Sequence, residues 1–380
     1  MFITGSLGHG GAERHSITVM NRLVARGHEC HGTYVKNDSS QLGRLQLGDG
    51  GSVCCLGAEH FLDLAALGAL TRRIERLRPR VIVAANAYAL MYASLALWRS
   101  RLPASLMVTF HSTRLLGFKE HLKMLFDRLF FASADCLVFV SDNQRRYWQR
   151  RGLQARVNEV IVNGVDIDHF RAPPFVEAAR GVRRAYGFDD DDYVIGISAV
   201  LRPEKNHVML VDAVAALRAR GIPAKALMIG DGELRAAVEA RARSLGVGEQ
   251  VRITGFRGEV RPELAACDVL TLCSFTEALS LAALEAMAME RPVVHSDVGG
   301  ASEIVIPGVN GFLFPVGELA EFVRKLVLLA DRRLSRRLGR RARRVVEECF
   351  SESAMIDRYE KTLLSLSDGG PQPRPAGLLA

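Results

Sequence analysis

The feature that most restricts the fold is a rhythm. Short runs rich in Val and Ile alternate with helix-length stretches, and the alternation runs twice along the chain. That pattern argues for parallel sheets built from βαβ units. In the first half, Phe2 to Gly5 ends a strand, Gly8 to Gly11 makes a turn, and Ala12–Ala25 has helical apolar spacing at Ile17, Met20 and Val24. Further strands are predicted at His28–Val35, Val81–Ala85, Leu106–Phe110, Leu137–Val140 and Glu159–Val162. Helices are predicted between them at Leu62–Leu77, Tyr88–Arg99, Lys119–Ala132 and Asp142–Arg151. Runs that are apolar throughout suit strands covered by helices on both faces. Asn163-Gly164 and then Pro173-Pro174 break the rhythm, and Asp189–Asp192 precedes a fresh strand, so the domain change is placed near residues 165–190. The second half repeats the theme with strands at Tyr193–Ala199, Ala224–Ile229, Gln250–Thr254, Val269–Leu272, Pro292–His295 and Gly311–Phe314. Its helices are predicted near His207–Arg220, Glu233–Leu245, Leu281–Met289 and Glu318–Leu329, with more helix from Arg333 to Leu366. The segment from Asp368 onward reads as a disordered tail. Two doubly wound α/β domains with a central cleft are expected, with ligands beyond the carboxyl ends of the strands.

Composition agrees with this class. At 380 residues the chain exceeds what one core usually fills, and 48% hydrophobic against 24% charged residues is ordinary for a folded protein. No apolar run reaches the roughly 18 residues of a membrane span, and no secretory leader is read at the start. Seven cysteines without CxxC spacing suggest buried thiols rather than a disulfide framework, so a cytoplasmic location is expected. The formal charge of +8 favours an anionic partner. Much of it sits in Arg72, Arg73, Arg76, Arg78 and Arg80, and in Arg332, Arg333, Arg336, Arg337, Arg340, Arg341, Arg343 and Arg344. Both clusters read first as solvated helix faces and second as patches for an anionic membrane surface. No recognition motif or aromatic platform supports nucleic acid.

Absent signatures narrow the chemistry. There is no GxxxxGK[ST], no HExxH and no complete GxGxxG; Gly230-Asp231-Gly232 lacks the third glycine of a dinucleotide fingerprint. Asp166-Ile167-Asp168 and the Asp189–Asp192 run formally contain DxD, but both read as turns, and no metal site is expected. Gly5, Gly8, Gly10 and Gly11 crowd the first strand-to-helix turn, where glycine lets a ligand approach the backbone and a helix start offers amides to an anion. His111 closes a strand at the edge where ligands bind, although a structural histidine is equally compatible. After the strand from Tyr193, Arg202 and Lys205 emerge together before a helix, a suitable cradle for a diphosphate. Glu277 lies in the loop after Leu272 and Glu285 about one turn into the next helix. Between them the amides of Leu279, Ser280 and Leu281 can meet phosphate oxygens, while a carboxylate on the apolar helix face needs donors such as sugar or ribose hydroxyls.

Together these residues resemble a retaining glycosyltransferase of family 4, which has the GT-B fold: two Rossmann-like domains facing across a central cleft. The resemblance rests on Gly10-Gly11-Ala12-Glu13-Arg14, Asn163-Gly164-Val165-Asp166, Arg202-Pro203-Glu204-Lys205-Asn206, and Glu277 with Glu285. Val298-Gly299-Gly300-Ala301-Ser302-Glu303 and Asn310-Gly311-Phe312-Leu313 add to it. It implies an acceptor-side domain at residues 1–170, a nucleotide-sugar domain at 171–350, a helix at 351–367 packing back on the first domain, and a tail at 368–380. It also implies transfer of a hexose or N-acetylhexosamine from a nucleotide sugar to a glycan or lipid-linked acceptor, as in polysaccharide biosynthesis. Glu285 would bind the ribose, Glu277 the donor sugar, and Lys205 with Arg202 the diphosphate. His111 would lie against the transferred sugar, and the Gly10–Gly11 loop would meet donor phosphate and acceptor. No cofactor is implied; on family frequency the donor base is uridine. Two positions depart from the family pattern: Val200 stands where arginine is common, and Ala278 and Ser280 stand where Gly and Pro are usual. A dinucleotide-dependent oxidoreductase, which the missing glycine fingerprint argues against, a nucleotide-sugar epimerase and a non-catalytic nucleotide-sugar scaffold are the competing readings. The oligomeric state is not legible. Lys119–Ala132, with Leu122, Leu125, Phe126, Leu129 and Phe130, reads as core packing first and shallow membrane docking second.

Overall fold

The computed structural model describes residues 1–112, 118–172 and 175–369. The chain divides into two units, one made of residues 1–162 together with the segment from Ala354, the other of Asn163–Ser353. The division falls ahead of the 170/171 boundary expected from sequence, because the bridge from Val165 to Ser351 ties the linker to the second unit.

In the first unit the order is β1 (Phe2–Thr4), α1 (Gly11–Ala25), β2 (His31–Tyr34), β3 (Ser52–Cys55), α2 (Leu64–Leu77), β4 (Val81–Ala85), α3 (Asn86–Ser100), β5 (Ser105–Phe110), α4 (Phe118–Ala132), β6 (Cys136–Phe139), α5 (Asp142–Gln149) and β7 (Val157–Val160). The second unit runs α6 (Val176–Ala185), β8 (Tyr193–Ser198), α7 (His207–Arg218), β9 (Ala224–Ile229), α8 (Arg235–Ser244), β10 (Val251–Ile253), α9 (Arg261–Ala266), β11 (Val269–Leu272), α10 (Leu281–Ala288), β12 (Val293–Ser296), α11 (Ala301–Ile304), β13 (Gly311–Phe314), α12 (Leu319–Leu329) and α13 (Arg332–Cys349). The last helix, α14 (Glu352–Asp368), carries the chain back to the first unit. The expected tail beyond it lies, from residue 370, outside the described residues.

Both sheets are parallel and doubly wound, with order β3-β2-β1-β4-β5-β6-β7 in the first unit and β10-β9-β8-β11-β12-β13 in the second. The strand order reverses between β1 and β4 in one sheet and between β8 and β11 in the other. Loops leaving the carboxyl ends of strands at such a switch point splay apart and leave a crevice. The first sheet is covered on one face by a core that includes Ile3, Leu70, Ile82, Leu106, Phe139 and Trp148. On its other face Phe2, Met20, Leu23, Met107 and Val138 pack with Met355, Ile356, Tyr359 and Leu366 of α14. Burying one large apolar side chain stabilises by about 1.5–3 kcal/mol, so α14 is an integral layer of that unit. The second sheet is filled by residues such as Ile195, Ile197, Leu210, Met228 and Phe322.

Three expectations are corrected. The edge strand β3 is absent from the sequence reading, because Ser52-Val53-Cys54-Cys55 has neither a long apolar run nor alternation. Arg73 is not on a solvated face. It is buried, and its guanidinium donates to Thr33 Oγ1, the Gly32 and Ser52 carbonyls and Ser52 Oγ, stapling β2 to β3. Likewise Arg343 turns inward to donate to the Ile167, Phe170 and Ala288 carbonyls, while Arg332, Arg333, Arg336, Arg337, Arg340, Arg341 and Arg344 are exposed. All seven cysteines are free; Cys54 and Cys55 are half-buried and Cys349 is exposed, so not every thiol is sequestered. On α4, Phe130 is buried whereas Phe126 and Leu129 are exposed; the side chains of Leu122 and Leu125 lie outside the described residues. Among the described residues no helix is long and apolar enough to cross a membrane.

Candidate active site

The second unit concentrates charge at its switch point. The loop leaving β8 places Arg202, Pro203, Glu204 and Lys205 ahead of α7, with Asn206 in the left-handed region at φ 50°. Asn tolerates that conformation better than most residues. The loop leaving β11 carries Glu277. Lys205 Nζ donates to Glu277 Oε2 at 2.5 Å, and Ser274 Oγ approaches the same oxygen at 3.4 Å. Neither partner is fully buried, at 23% and 16% side-chain exposure, so a ligand can reach both. Arg202 is exposed and takes no part in this pair.

Glycines shape the surrounding backbone. At Gly299, with φ 55°, an added Cβ would lie 1.6 Å from the Glu277 carbonyl oxygen, and Gly300 N–H donates to the Ala278 carbonyl at 2.7 Å. The turn at Val298–Gly300 therefore supports the Glu277 loop from below. Gly230 serves the opposite loop: a Cβ there would meet the Ala199 carbonyl oxygen at 2.2 Å. Gly230-Asp231-Gly232 is thus a buttress for the Arg202–Lys205 loop.

Ser280 caps α10, its Oγ accepting from the Ala283 amide at 3.2 Å. The amides before that turn have no intrahelical partner and point out of the helix start, where the dipole favours an anion. Asn163 Nδ2 donates to the Leu279 carbonyl at 2.9 Å and fixes the segment Leu279–Leu281 in place. Glu285 follows on the same helix and is 3% exposed, embedded beside Leu284 and Met287. Beneath the ion pair, His295 is fully buried, with Nδ1 against the Ser296 carbonyl and Nε2 without a partner. Burial holds its imidazole below the ordinary range, opposed by the nearby Glu277 carboxylate. Asp166 accepts from the amides of Asp168 and His169, so that DxD is an Asx turn.

The first unit sets neutral rings beside a glycine loop flanked by carboxylates: Asp38 reaches to where a Cβ on Gly8 would stand and Glu13 to where one on Gly10 would stand. Gly10 is the extended N-cap of α1, and nothing lies within 4 Å of where a Cβ on Gly11 would stand. Open space at a helix start gives a ligand access to the backbone. Gln41 Nε2 donates to the Gly8 carbonyl at 2.5 Å and holds the loop from the side. His111 follows β5 directly, and its backbone is clamped. Its N–H donates to Asn86 Oδ1 at 2.8 Å, with Asn86 itself at φ 66°. Gln144 Nε2 donates to the Phe110 and Ser112 carbonyls, and Trp148 Nε1 to the latter. Burial pushes the His111 imidazole down to about 4, and its Nε2 has no partner. At neutral pH it is an uncharged hydrogen-bonding group.

The structure thus brings Lys205 to Glu277, sets Leu279, Ser280 and Leu281 at one helix start with Glu285 behind them, and places Gly10, Gly11 and His111 at the other sheet's switch point. Sequence reasoning missed Asn86, Gln144, Ser274 and His295, and it named Asn163 only as part of a motif, without its bond to the Leu279 carbonyl. Gly299, noted only as part of a similarity, is the one whose left-handed backbone carried a usable signal.

Two family descriptions match the chain and between them span both units. "Glycosyltransferase Family 4" matches residues 9–169 and "Glycosyl transferases group 1" matches residues 180–345. The chain belongs to glycosyltransferase family 4. EpsD of Bacillus subtilis (strain 168) is 30% identical over 230 residues, 60% of this family 4 chain and 59% of EpsD. The N-acetyl-alpha-D-glucosaminyl L-malate synthase of Bacillus anthracis is 29% identical over 180 residues, 47% of each chain. The matched region therefore spans about half the length of these curated relatives. Among solved structures, Anabaena HepE in complex with UDP and glucose superposes with a TM-score of 0.84 at 22% identity, covering 96% of this chain and 99% of HepE. The shared fold is GT-B, two Rossmann-like units in one chain.

Proposed function

We propose that this family 4 chain is a retaining glycosyltransferase that moves a hexose or N-acetylhexosamine from a nucleoside-diphosphate sugar to a glycan or lipid-linked acceptor. The observation that carries this reading is the Lys205–Glu277 ion pair, three residues ahead of the capped start of α10, with Glu285 buried on that helix. A cation, a carboxylate, free amides and a sequestered second carboxylate match, in order, a diphosphate, a sugar hydroxyl, phosphate oxygens and a ribose diol. HepE has been solved with UDP, with UDP and glucose, and with UDP-glucose, which supports a nucleotide-sugar donor with uridine as its base.

In this mechanism Lys205 leaves Glu277 for the diphosphate, with Arg202 supplying a second positive charge from the loop. Glu277 then accepts from a hydroxyl of the donor sugar, and Glu285 accepts from the ribose. The bond from the anomeric carbon to the phosphate oxygen breaks as charge grows on the leaving diphosphate, where Lys205 and the α10 amides stabilise it without a metal. The acceptor oxygen bonds the anomeric carbon on the same face, and its proton passes to the departing phosphate. On the first unit, His111, being neutral, orients a hydroxyl through Nε2 rather than offering a positive charge, and the Gly10–Gly11 loop leaves its backbone open to a ligand. Contact with an anionic membrane belongs to the same reading, with the exposed arginines of α13 as the surface.

The deciding experiment is calorimetric binding of UDP, GDP, ADP and NAD, repeated with Glu285→Ala. Selective binding of one nucleoside diphosphate, weakened about tenfold or more by the substitution, is the expected result. Binding of NAD alone would overturn the site.

A further inference from the structure

Three side chains far apart in sequence meet at the first unit's switch point. His15 lies one turn after Gly11 on α1 and is 3% exposed, and Tyr359 on α14 is fully buried. His15 Nε2 and Tyr359 Oη are 2.9 Å apart in a buried hydrogen bond. The His15 ring meets the His111 ring edge-on, with centroids 4.9 Å apart and planes at 62°.

We propose that His15 and Tyr359 are positioning residues for His111, fixing its ring so that the unpartnered Nε2 is presented to a neutral hydroxyl of the ligand. This rests on the role given above to His111. The clamps from Asn86, Gln144 and Trp148 grip only its backbone and that of its neighbours. The ring torsion of histidine is intrinsically soft, so the orientation of the imidazole is left to what the ring touches. Among the described residues the aromatic ring it touches is His15. The His15 ring is in turn held by Tyr359, which the second core of the first unit locks in place.

Packing alone does not account for the choice of residues. Leucine and phenylalanine would fill the two positions without withdrawing an imidazole and a phenol from water, a withdrawal that one hydrogen bond only partly offsets. What the polar pair adds is direction, since a hydrogen bond at 2.9 Å fixes the His15 plane where apolar contact would let it rock. Burial, and then the neighbouring His111, also hold His15 well below its ordinary range, so no charge enters the array at neutral pH.

The test uses the full chain with ring nitrogen-15 histidine, the His111 signals being assigned by their loss in His111→Ala. At pH 7.5 the parent protein should show one sharp set of His111 ring signals. Tyr359→Phe, which deletes a single oxygen, should broaden or split them and lower kcat for sugar transfer about tenfold, with donor KM changed less than twofold. His15→Leu, which removes both the ring against His111 and the partner of Tyr359, should behave alike. In a His111→Ala background Tyr359→Phe should cost no further rate. Unchanged His111 signals in both Tyr359→Phe and His15→Leu, or rate losses that add in the double variant, would overturn the proposal. Were the chain not to transfer sugar at all, the ring signals would still decide it, since they need no turnover.

Discussion

The two switch points share a topology and differ in electrostatics. In the second unit a half-buried ion pair, Lys205 with Glu277, stands beside the start of α10. In the first, His15, His111 and Tyr359 meet in the dry, and both imidazoles are held neutral. A doubly wound sheet dictates where a ligand sits, while the side chains on its loops dictate what is recognised. On the proposed reading, the second unit's crevice takes the charged diphosphate and the neutral rings of the first unit meet a hydroxyl.

The contrast can be broken most sharply at Lys205. Lys205→Ala removes the cation and leaves Glu277 unpaired, so steady-state transfer should fall about 10²- to 10³-fold, the range for losing one group that meets developing charge. A loss no larger than that of His111→Ala would mean that charge is not the second unit's distinguishing contribution. The next effect concerns stability in acid. His207, fully buried in the second unit, is pushed down to about 4 by burial and then by Lys205, and His111 is lowered to the same value. A pKa depressed below its unfolded value means that the unfolded chain takes up protons first. Stability is therefore full above about pH 6.5 and falls as the pH drops toward 4, by roughly 3 kcal/mol for His207 alone. Urea midpoints measured from pH 8 to 4 should be level and then decline through that window; in His207→Leu the decline should be shallower. The smallest effect concerns surfaces. Replacing Arg337 alone by Gln should weaken binding to anionic vesicles about fivefold, an arginine near the surface contributing about 1 kcal/mol, and Phe126→Ser with Leu129→Ser should change it less. The reverse ranking would move membrane contact to the first unit.

How much was legible depended on how local the cause was. Strands such as Val81–Ala85 and Val269–Leu272 announce themselves because a strand buried on both faces must be apolar throughout. The Arg202–Lys205 and Glu277–Glu285 groupings were legible for a similar reason, since both sit on single strand-loop-helix connections. What escaped was non-local. β3 is held by pairing and by Arg73 reaching from α2, so nothing within Ser52–Cys55 reveals it. Nor does any pattern near residue 86, 144 or 148 point to His111. Asn86, Gln144 and Trp148 become clamps only once the sheet has placed three connections side by side. Gly299 lies between these cases: a glycine pair is visible, but the carbonyl it must admit belongs to Glu277, more than twenty residues earlier.

The return of α14 has a temporal consequence. Tyr359, Ile356 and Leu366 complete the layer over Phe2, Leu23 and Met107, yet the ribosome makes residues 163–353 in between. At about 5–20 residues per second, that face of the nascent first unit waits roughly 10 to 40 seconds for its cover. Of the two units, the one whose synthesis starts earlier is thus the later to be finished. During that interval its uncovered apolar surface is the part of the chain most in need of a chaperone.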